Sequence, residues 1–362
     1  MPRLLLCCSQ QPVQCTLSHF SPFPFPCSIP SMAMAFLVAL ALVSVLAAAI
    51  AWVWDHAVVR LVWRPYAIGK ELRSQGIHGP PYKLVKGSNE EFKAMKEETD
   101  GLVLDVHDHN YIPRIAPHYL KWRAQYGEPF LYWFGPKPRL CIFDYELARQ
   151  ILSSKSGNFV KNDPPTTLLD VVGKGLALLD GIDWVRHHRV IKPAFAMDKL
   201  KFDISKATAD FGHILQTTMV LLETLRLYGP ALFMQRKTVT DMTVGSMKLP
   251  KGIAIVIPIP IMHREKVVWG DDAGEFNPLR FENGMTRAGK VPHAMLAFSM
   301  GPRSCIGQNF AMLEAKSTLA LMLQKFSFTL SHDYVHAPAD VFSLKPKFGL
   351  PIILRQLDES YI

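Results

Sequence analysis

Residues 298–307 read Phe-Ser-Met-Gly-Pro-Arg-Ser-Cys-Ile-Gly, a short stretch whose residue types and spacing suit one kind of chemistry. Cys305 is a thiol set just ahead of an apolar helical run. A helix N-terminus and a nearby cation both favour the thiolate, the form that ligates metals. Gly301 and Gly307 keep side chains out of the way of a flat macrocycle brought close to the backbone. Arg303 is placed to neutralise a carboxylate on such a group, and the ring of Phe298 can shield the sulfur. With each residue type at about one position in twenty, five fixed types in ten positions arise by chance in roughly one chain in ten thousand. The alternative, a buried structural cysteine, leaves the arginine and both glycines without a reason.

Two further groupings follow the same logic. Glu223 and Arg226 lie three residues apart in TTMVLLETLRLY, an apolar helix. Such a pair is worth only a few tenths of a kcal/mol on a surface. Buried, it needs further hydrogen-bonded partners, and Arg280 in the segment Phe276-Asn-Pro278-Leu-Arg280-Phe281 is a candidate third member.

At this point the chain resembles the cytochrome P-450 superfamily of haem-thiolate monooxygenases, whose haem loop is Phe-x-x-Gly-x-Arg-x-Cys-x-Gly. It also resembles the Glu-x-x-Arg and Phe-x-Pro-x-Arg-Phe marks of that family. The wording WVRHHRVIKPAF and the GPPY linker look like plant members grouped around secologanin synthase and the cytokinin hydroxylases. The resemblance covers about Trp54 to Leu354. It implies a mainly α fold with small β-sheets and Cys305 as axial ligand of the iron of haem b. Phe298, Gly301, Arg303 and Gly307 would surround it, with Glu223, Arg226 and Arg280 as a structural triad. Arg236 and His263 match positions near the haem carboxylates, and Trp184 matches the tryptophan of a Trp-x-x-x-Arg helix. His188 stands where that arginine is expected, offering a hydrogen bond but no fixed charge. By the same resemblance, electrons come from an NADPH-dependent flavoprotein reductase, and the small apolar substrate is a fatty acid, terpenoid or hormone. The spacing from Gly301 to Cys305 carries none of the insertion seen in haem-thiolate enzymes that rearrange hydroperoxides.

The elements that must position these residues begin with an anchor. No Asp, Glu, Lys or Arg occurs between Arg3 and Asp55. Residues 34–54 are apolar apart from Ser44, as long as the ~20 residues a bilayer core requires. Trp52 and Trp54 sit at the end of this run, where amphipathic rings favour the interface. Arg60, Arg64, Lys70 and Arg73 follow, so the positive-inside rule puts the body in the cytoplasm. A cleaved signal is the alternative, but its apolar core is usually only ~7–15 residues long. With the resemblance, this makes a single-pass protein of the endoplasmic reticulum membrane. Residues 1–33 read as an extension, 55–82 as a basic, proline-rich linker, and 83–362 as the haem-binding domain.

In the body, FLYWFGPKPRLCIF reads as a hairpin with a loop longer than two residues. Asp144 caps a helix over 145–152. A helix contains Trp184 to Arg189, and another spans 217–228 and stops at Gly229-Pro230. Short strands lie over 243–246 and 252–257. A long helix begins near Ile306, with Ile306, Phe310, Leu313 and Ala320 on one face.

Six cysteines in 362 residues, four of them before position 28, exclude a disulfide scaffold. The formal charge of +9 is spread without a basic block, which argues against nucleic acid as a partner. Asp105-x-His107-Asp108-His109 has no second cluster at ligand spacing and reads as a polar loop.

One expected part is missing. Only 27 residues separate Phe195 from Glu223, where the family carries a series of helices. One of those helices covers the distal haem face with an Ala/Gly-Gly-x-Asp/Glu-Thr motif, absent from the whole sequence. No catalytic residue is therefore assigned, and an internal deletion near 196–222 is expected. The uncovered haem face would admit water, and the apolar surface left bare would favour aggregation. A catalytically inactive, haem-poor membrane protein is the rival reading.

Overall fold

The computed structural model describes residues 31–162, 164, 169–170, 173–195, 211–340 and 343–357. The extension expected at 1–33 lies almost wholly outside the described residues, as does much of the expected deletion point, at 196–210. The chain divides into two units, residues 1–55 and 56–362.

In the first unit, helix α1 runs Ser31–Val53. At ~1.5 Å per residue its 23 residues reach about 35 Å, enough for a ~30 Å hydrocarbon core. Its side chains are exposed along its length. The hydroxyl of Ser44 in its interior donates to the Ala41 carbonyl at 2.8 Å, the internal satisfaction that a lipid environment demands. The expected span was 34–54.

The second unit departs from the expected linker. Trp54–Trp63 is π-helical and α2 spans Arg64–Ser74, with Ile68 and Leu72 buried. Charges end the apolar run here without ending the helix. Residues 78–88 then run along the first strand of the sheet rather than forming a free tether. Leu131 N donates to the His78 carbonyl at 2.8 Å, and Ser88 N to the Trp133 carbonyl at 2.8 Å. Gly79 makes this approach possible, since a Cβ there would stand 1.7 Å from the Leu131 oxygen.

Helices α3 (Asn89–Thr99), α4 (Ile112–Ile115) and α5 (Pro117–Tyr126) lead into a five-stranded sheet. Its strands are β1 (Phe130–Phe134), β2 (Lys137–Cys141), β3 (Phe159–Val160), β4 (Phe233–Thr238) and β7 (Ala254–Pro258), in the order β1-β2-β7-β4-β3. The β1–β2 hairpin pairs Phe134 with Lys137, so its loop is two residues, shorter than expected. Gly135 at φ +56° permits the tight turn, and Pro138 is accommodated within the strand. Strand β7 pairs parallel to β2 and antiparallel to β4, and all five of its residues are buried. A continuous apolar run suits that central position.

Helix α6 (Tyr145–Ser153) is capped as expected, Leu147 N donating to Asp144 Oδ1 at 2.7 Å. Helix α7 (Gly181–Ile191) carries Trp184 and His188, and α8 (Phe211–Tyr228) carries Glu223 and Arg226. After the β5–β6 hairpin (Met242–Val244 and Met247–Leu249) come the short helices α9 (Ile259–Met262) and α10 (Lys266–Trp269). Helix α11 (Gln308–Lys325) follows the cysteine loop and has no buried residue. Strand β8 (Phe326–Leu330) pairs with β11 (Ile352–Gln356), and β9 (Pro338–Asp340) with β10 (Leu344–Pro346).

Two buried clusters hold the unit together. The larger gathers Leu72, Leu140, Ile151, Ile255, Trp269 and Leu296; the second is aromatic, around Tyr111, Trp122, Phe130 and Tyr132.

Candidate functional site

The site is built outward from a buried ion pair. On α8, Arg226 grips Glu223 with two bonds, Nε to Oε2 at 2.6 Å and Nη2 to Oε1 at 2.8 Å, and both side chains are fully enclosed. The remaining donors of Arg226 go to the carbonyls of His263 (2.6 Å), Ala273 (2.7 Å) and Glu275 (3.0 Å). Glu223 also accepts from Asn277 N at 2.9 Å, and Arg280 Nε lies 3.6 Å from its Oε1. Arg280 further bonds the Trp269 and Asp272 carbonyls and pairs with the Asp272 carboxylate at 2.8 Å. The structure thus brings Glu223, Arg226 and Arg280 together and adds Asp272 and Asn277, which sequence spacing did not reveal. The backbone carbonyls satisfy the charges in a way that a pair alone could not.

His263 corrects an expectation. It is fully buried and does not line the cavity where a carboxylate-bearing cofactor would sit. Its Nδ1 donates to the Arg226 carbonyl at 2.9 Å, and its Nε2 accepts from Leu296 N at 2.9 Å. That pattern requires the neutral ring, and burial drives its pKa down to about 3. His263 is a strut: it ties the ion-pair cluster to the strand of chain that leads into the cysteine loop.

The loop itself is tightly folded. Ser299 N donates to the Leu296 carbonyl at 2.8 Å, and Cys305 N to the Phe298 carbonyl at 2.8 Å. Two residues take left-handed backbone angles, Ser299 at φ +60° and Gly301 at φ +72°. Gly301 faces the end of α6, where a Cβ would lie 2.4 Å from the Leu152 oxygen. Its small size therefore serves the packing of this turn on α6, not clearance beneath a macrocycle. Gly307 is different: a Cβ there would stand 4.0 Å from Cys305 Sγ and 3.5 Å from the Phe195 ring, on the side of the thiol. Phe298 is half-buried, and its carbonyl is what holds the cysteine's amide. Cys305 is a free, exposed thiol, whereas Cys141 is buried and its thiol pKa is pushed well up by desolvation.

Cys305 opens into a cavity of about 1120 Å³, larger than the ~300–1,000 Å³ typical of small-ligand sites. Arg303, Arg236, Lys161, Trp184 and His188 share its wall. Arg303 pairs with Asp180 at 2.8 Å and lies 3.7 Å above the Trp184 ring. His188 stacks on the same tryptophan, centroids 4.7 Å apart. Burial lowers the pKa of Arg236 and Arg303 and brings Lys161 to about 8. Lys161 Nζ donates to the carbonyls of Leu176 and Ala177 at 3.0 and 2.7 Å. Three desolvated cations therefore stand on this wall, Arg303 paired with Asp180, and although Asp340 also lines the cavity they suit it to an anionic occupant. Three buried polar atoms of lining residues also lack a partner: His118 Nδ1, Arg139 Nε and Ser299 Oγ. Lys161, Arg139 and Asp180 were not anticipated, since no local spacing marks any of them as a binding residue.

A flat, iron-bearing macrocycle with carboxylate arms fits this donor set: one thiol, a cationic wall and an aromatic edge. The family model for "Cytochrome P450" matches residues 113–215 and 203–353. The chain belongs to the cytochrome P450 family. Among its relatives, "Cytochrome P450 709B1" of Arabidopsis thaliana is 29% identical over 497 aligned positions, covering 84% of this chain and 96% of that protein. "Cytochrome P450 CYP72A616" of Paris polyphylla is 26% identical, covering 87% and 98%. "11-oxo-beta-amyrin 30-oxidase" of Glycyrrhiza uralensis is 47% identical over 146 positions, covering 40% of this chain and 28% of that protein. An alignment of 497 positions outruns a chain of 362, so over a quarter of its positions face gaps in this P450. The family match itself comes in two pieces that meet at 203–215. The family implies haem iron as cofactor and haem-thiolate monooxygenase chemistry in general.

The segment around His107 and His109, expected to be a polar loop, is held by its own backbone. In the His107/His109 loop, Asp105 and Asp108 carboxylates accept the backbone N–H groups of His107 and Asn110, both at 2.8 Å. No group of three metal-ligating side chains occurs among the described residues.

Proposed function

We propose that the chain is a membrane-anchored haem-thiolate monooxygenase of the endoplasmic reticulum, with its body in the cytoplasm, that inserts one oxygen atom from dioxygen into a fatty acid, terpenoid or hormone. The observation that carries this reading is the convergence of Cys305, Arg303, Arg236 and Trp184 on one cavity. Haem b held there supplies a thiolate-ligated iron, the electronic setting that favours O–O cleavage. The protein's own part is to bind and orient. Cys305 would hold the iron through its sulfur, and Gly307 leaves its approach free. Arg303, Arg236 and Lys161 would compensate the two carboxylates, with His188 offering a hydrogen bond. Glu223, Arg226, Arg280 and His263 hold the loop in place from behind. Electrons would arrive from an NADPH-dependent flavoprotein reductase.

A second reading, a haem-poor and inactive membrane protein, is favoured by one observation: the sequence lacks the acid and threonine motif that the family carries over the haem face. The two-piece family match supports a deletion near 196–222 in a haem-binding domain of residues 83–362. The absorption spectrum of the reduced, carbon monoxide-bound full chain separates the two. A thiolate-type Soret band supports haem loading, and turnover with NADPH and reductase then tests the chemistry. A colourless protein after reconstitution with hemin leaves only the second reading.

A further inference from the structure

Beside α2, and apart from the cavity of Cys305, lies a second cavity of about 440 Å³. Its floor is Leu131 and Trp133, buried on β1; its walls are Val62, Pro65 and Tyr66 on one side and Pro80, Pro81, Tyr82 and Leu84 on the other. Gly69 leaves the helix bare where it faces the floor, since a Cβ there would come within 3.7 Å of Trp133 Cζ2. Tyr82 holds the two walls together: its hydroxyl donates to the Leu61 carbonyl at 2.8 Å, and its ring stands 4.9 Å from that of Trp133.

The rim of this cavity is apolar and basic at once. Val62, Trp63, Tyr66, Leu84 and Val85 are each at least half exposed. Val85 holds a left-handed backbone at φ +62°, an unfavourable angle for a β-branched residue, and it puts Leu84 and Val85 at the tip of a turn. Lys70, Arg73 and Lys83 are exposed around them, and Arg73 Nε donates to the Gly69 carbonyl, which sets its guanidinium over the opening. Aromatic rings among lysines and arginines are the make-up of a lipid-headgroup contact.

We propose that this cavity is a lipid site, in which one acyl chain of an acidic phospholipid lies on Trp133 and Leu131 while Arg73, Lys70 and Lys83 meet its headgroup. The volume admits a single chain, and the charge selects an anionic head. The inference goes beyond the oxygenase reading and is independent of haem loading; the membrane-anchor reading matters to it only as the source of lipid.

The test uses the full-length chain in non-ionic detergent, titrated separately with phosphatidylserine, phosphatidylcholine and oleate, with retained lipid counted by native mass spectrometry. One phosphatidylserine is expected to be retained with at least tenfold preference over phosphatidylcholine. Gly69→Leu, which fills the cavity, should abolish retention, and Arg73→Gln should weaken it about tenfold. Leu84→Asp, at the exposed rim, should also weaken it without disturbing the core, which covers the case in which Gly69→Leu does not fold. Equal retention of both phospholipids, unchanged retention in Leu84→Asp and Arg73→Gln, or oleate binding as well as phosphatidylserine would overturn the proposal. Alkaline carbonate extraction reports separately on the anchor, so loss of that reading is distinguishable.

Discussion

Cys305 and the residues behind it make different kinds of claim, and substitution separates them. Cys305→Ser removes the soft ligand and should abolish the thiolate-type Soret band while leaving the melting temperature of the apoprotein unchanged, as expected for an exposed side chain. Arg226→Ala should do the reverse at the level of the fold. It strands Glu223 without its partner in a fully enclosed site, and breaking a buried pair in this way costs ~3–5 kcal/mol. Urea unfolding followed by circular dichroism would show the loss directly. The acid response follows from two of the buried histidines, His118 and His263, whose pKa values burial lowers to about 3. Above the unfolded-state value near 6.5 both forms of the chain carry neutral rings, and the stability from burying them is fully present. As pH falls below 6.5 the unfolded chain takes up protons that the folded one refuses. Stability should drop by about 2 kcal/mol per histidine between pH 6.5 and 5. His118→Phe should flatten that slope when urea midpoints are compared at pH 7.5 and 5.0. The sequence made the cysteine loop and the Glu223–Arg226–Arg280 cluster legible because each lies in a short, fixed spacing. It did not show His263 as a strut, since its two bonds reach Arg226 and Leu296, far away along the chain. Lys161 and Asp180 escaped for the same reason.

At the scale of elements, helix ends, the β1–β2 hairpin and the long apolar helix α1 were readable from caps, punctuation and an uncharged run. Strand β4 was not, because Arg236 and Lys237 interrupt any apolar alternation in FMQRKT, and its place is decided by pairing with β7. Helix α11 is the informative exception. Its apolar residues circle the whole helix, a pattern that belongs inside a core, yet none is buried. Beside it, β8 and β11 place Phe328 opposite Leu354 and Leu330 opposite Ile352, all four more than a third exposed. Residues chosen for a covered surface are here uncovered, in a chain whose alignment with longer relatives is heavily gapped. Leu330→Lys combined with Ile352→Glu should therefore reduce light scattering of the detergent-free protein. Its effect on stability should stay within about 0.5 kcal/mol, as for other surface changes.

For the molecule as a whole, the sequence showed the order of parts better than their boundaries. The expected linker at 55–82 is largely helix and sheet-edge chain, because Ile68 and Leu72 have a core to enter and Gly79 lets the backbone close on Leu131. The proposed internal deletion lies in the 27 residues between Phe195 and Glu223. Restoring helices there from a relative such as the Arabidopsis thaliana P450 should raise haem occupancy if the missing cover is what limits it, read from the ratio of Soret to 280 nm absorbance.

The strut from Arg226 through His263 to Leu296 has a further consequence. It is made entirely of protein groups and needs no porphyrin to form. In the haem-binding reading proposed above, loading would then be a late event in the life of the chain, closer to docking than to folding. Cells starved of porphyrin precursors should accumulate the polypeptide to normal levels, with its protease resistance around residues 223–300 intact.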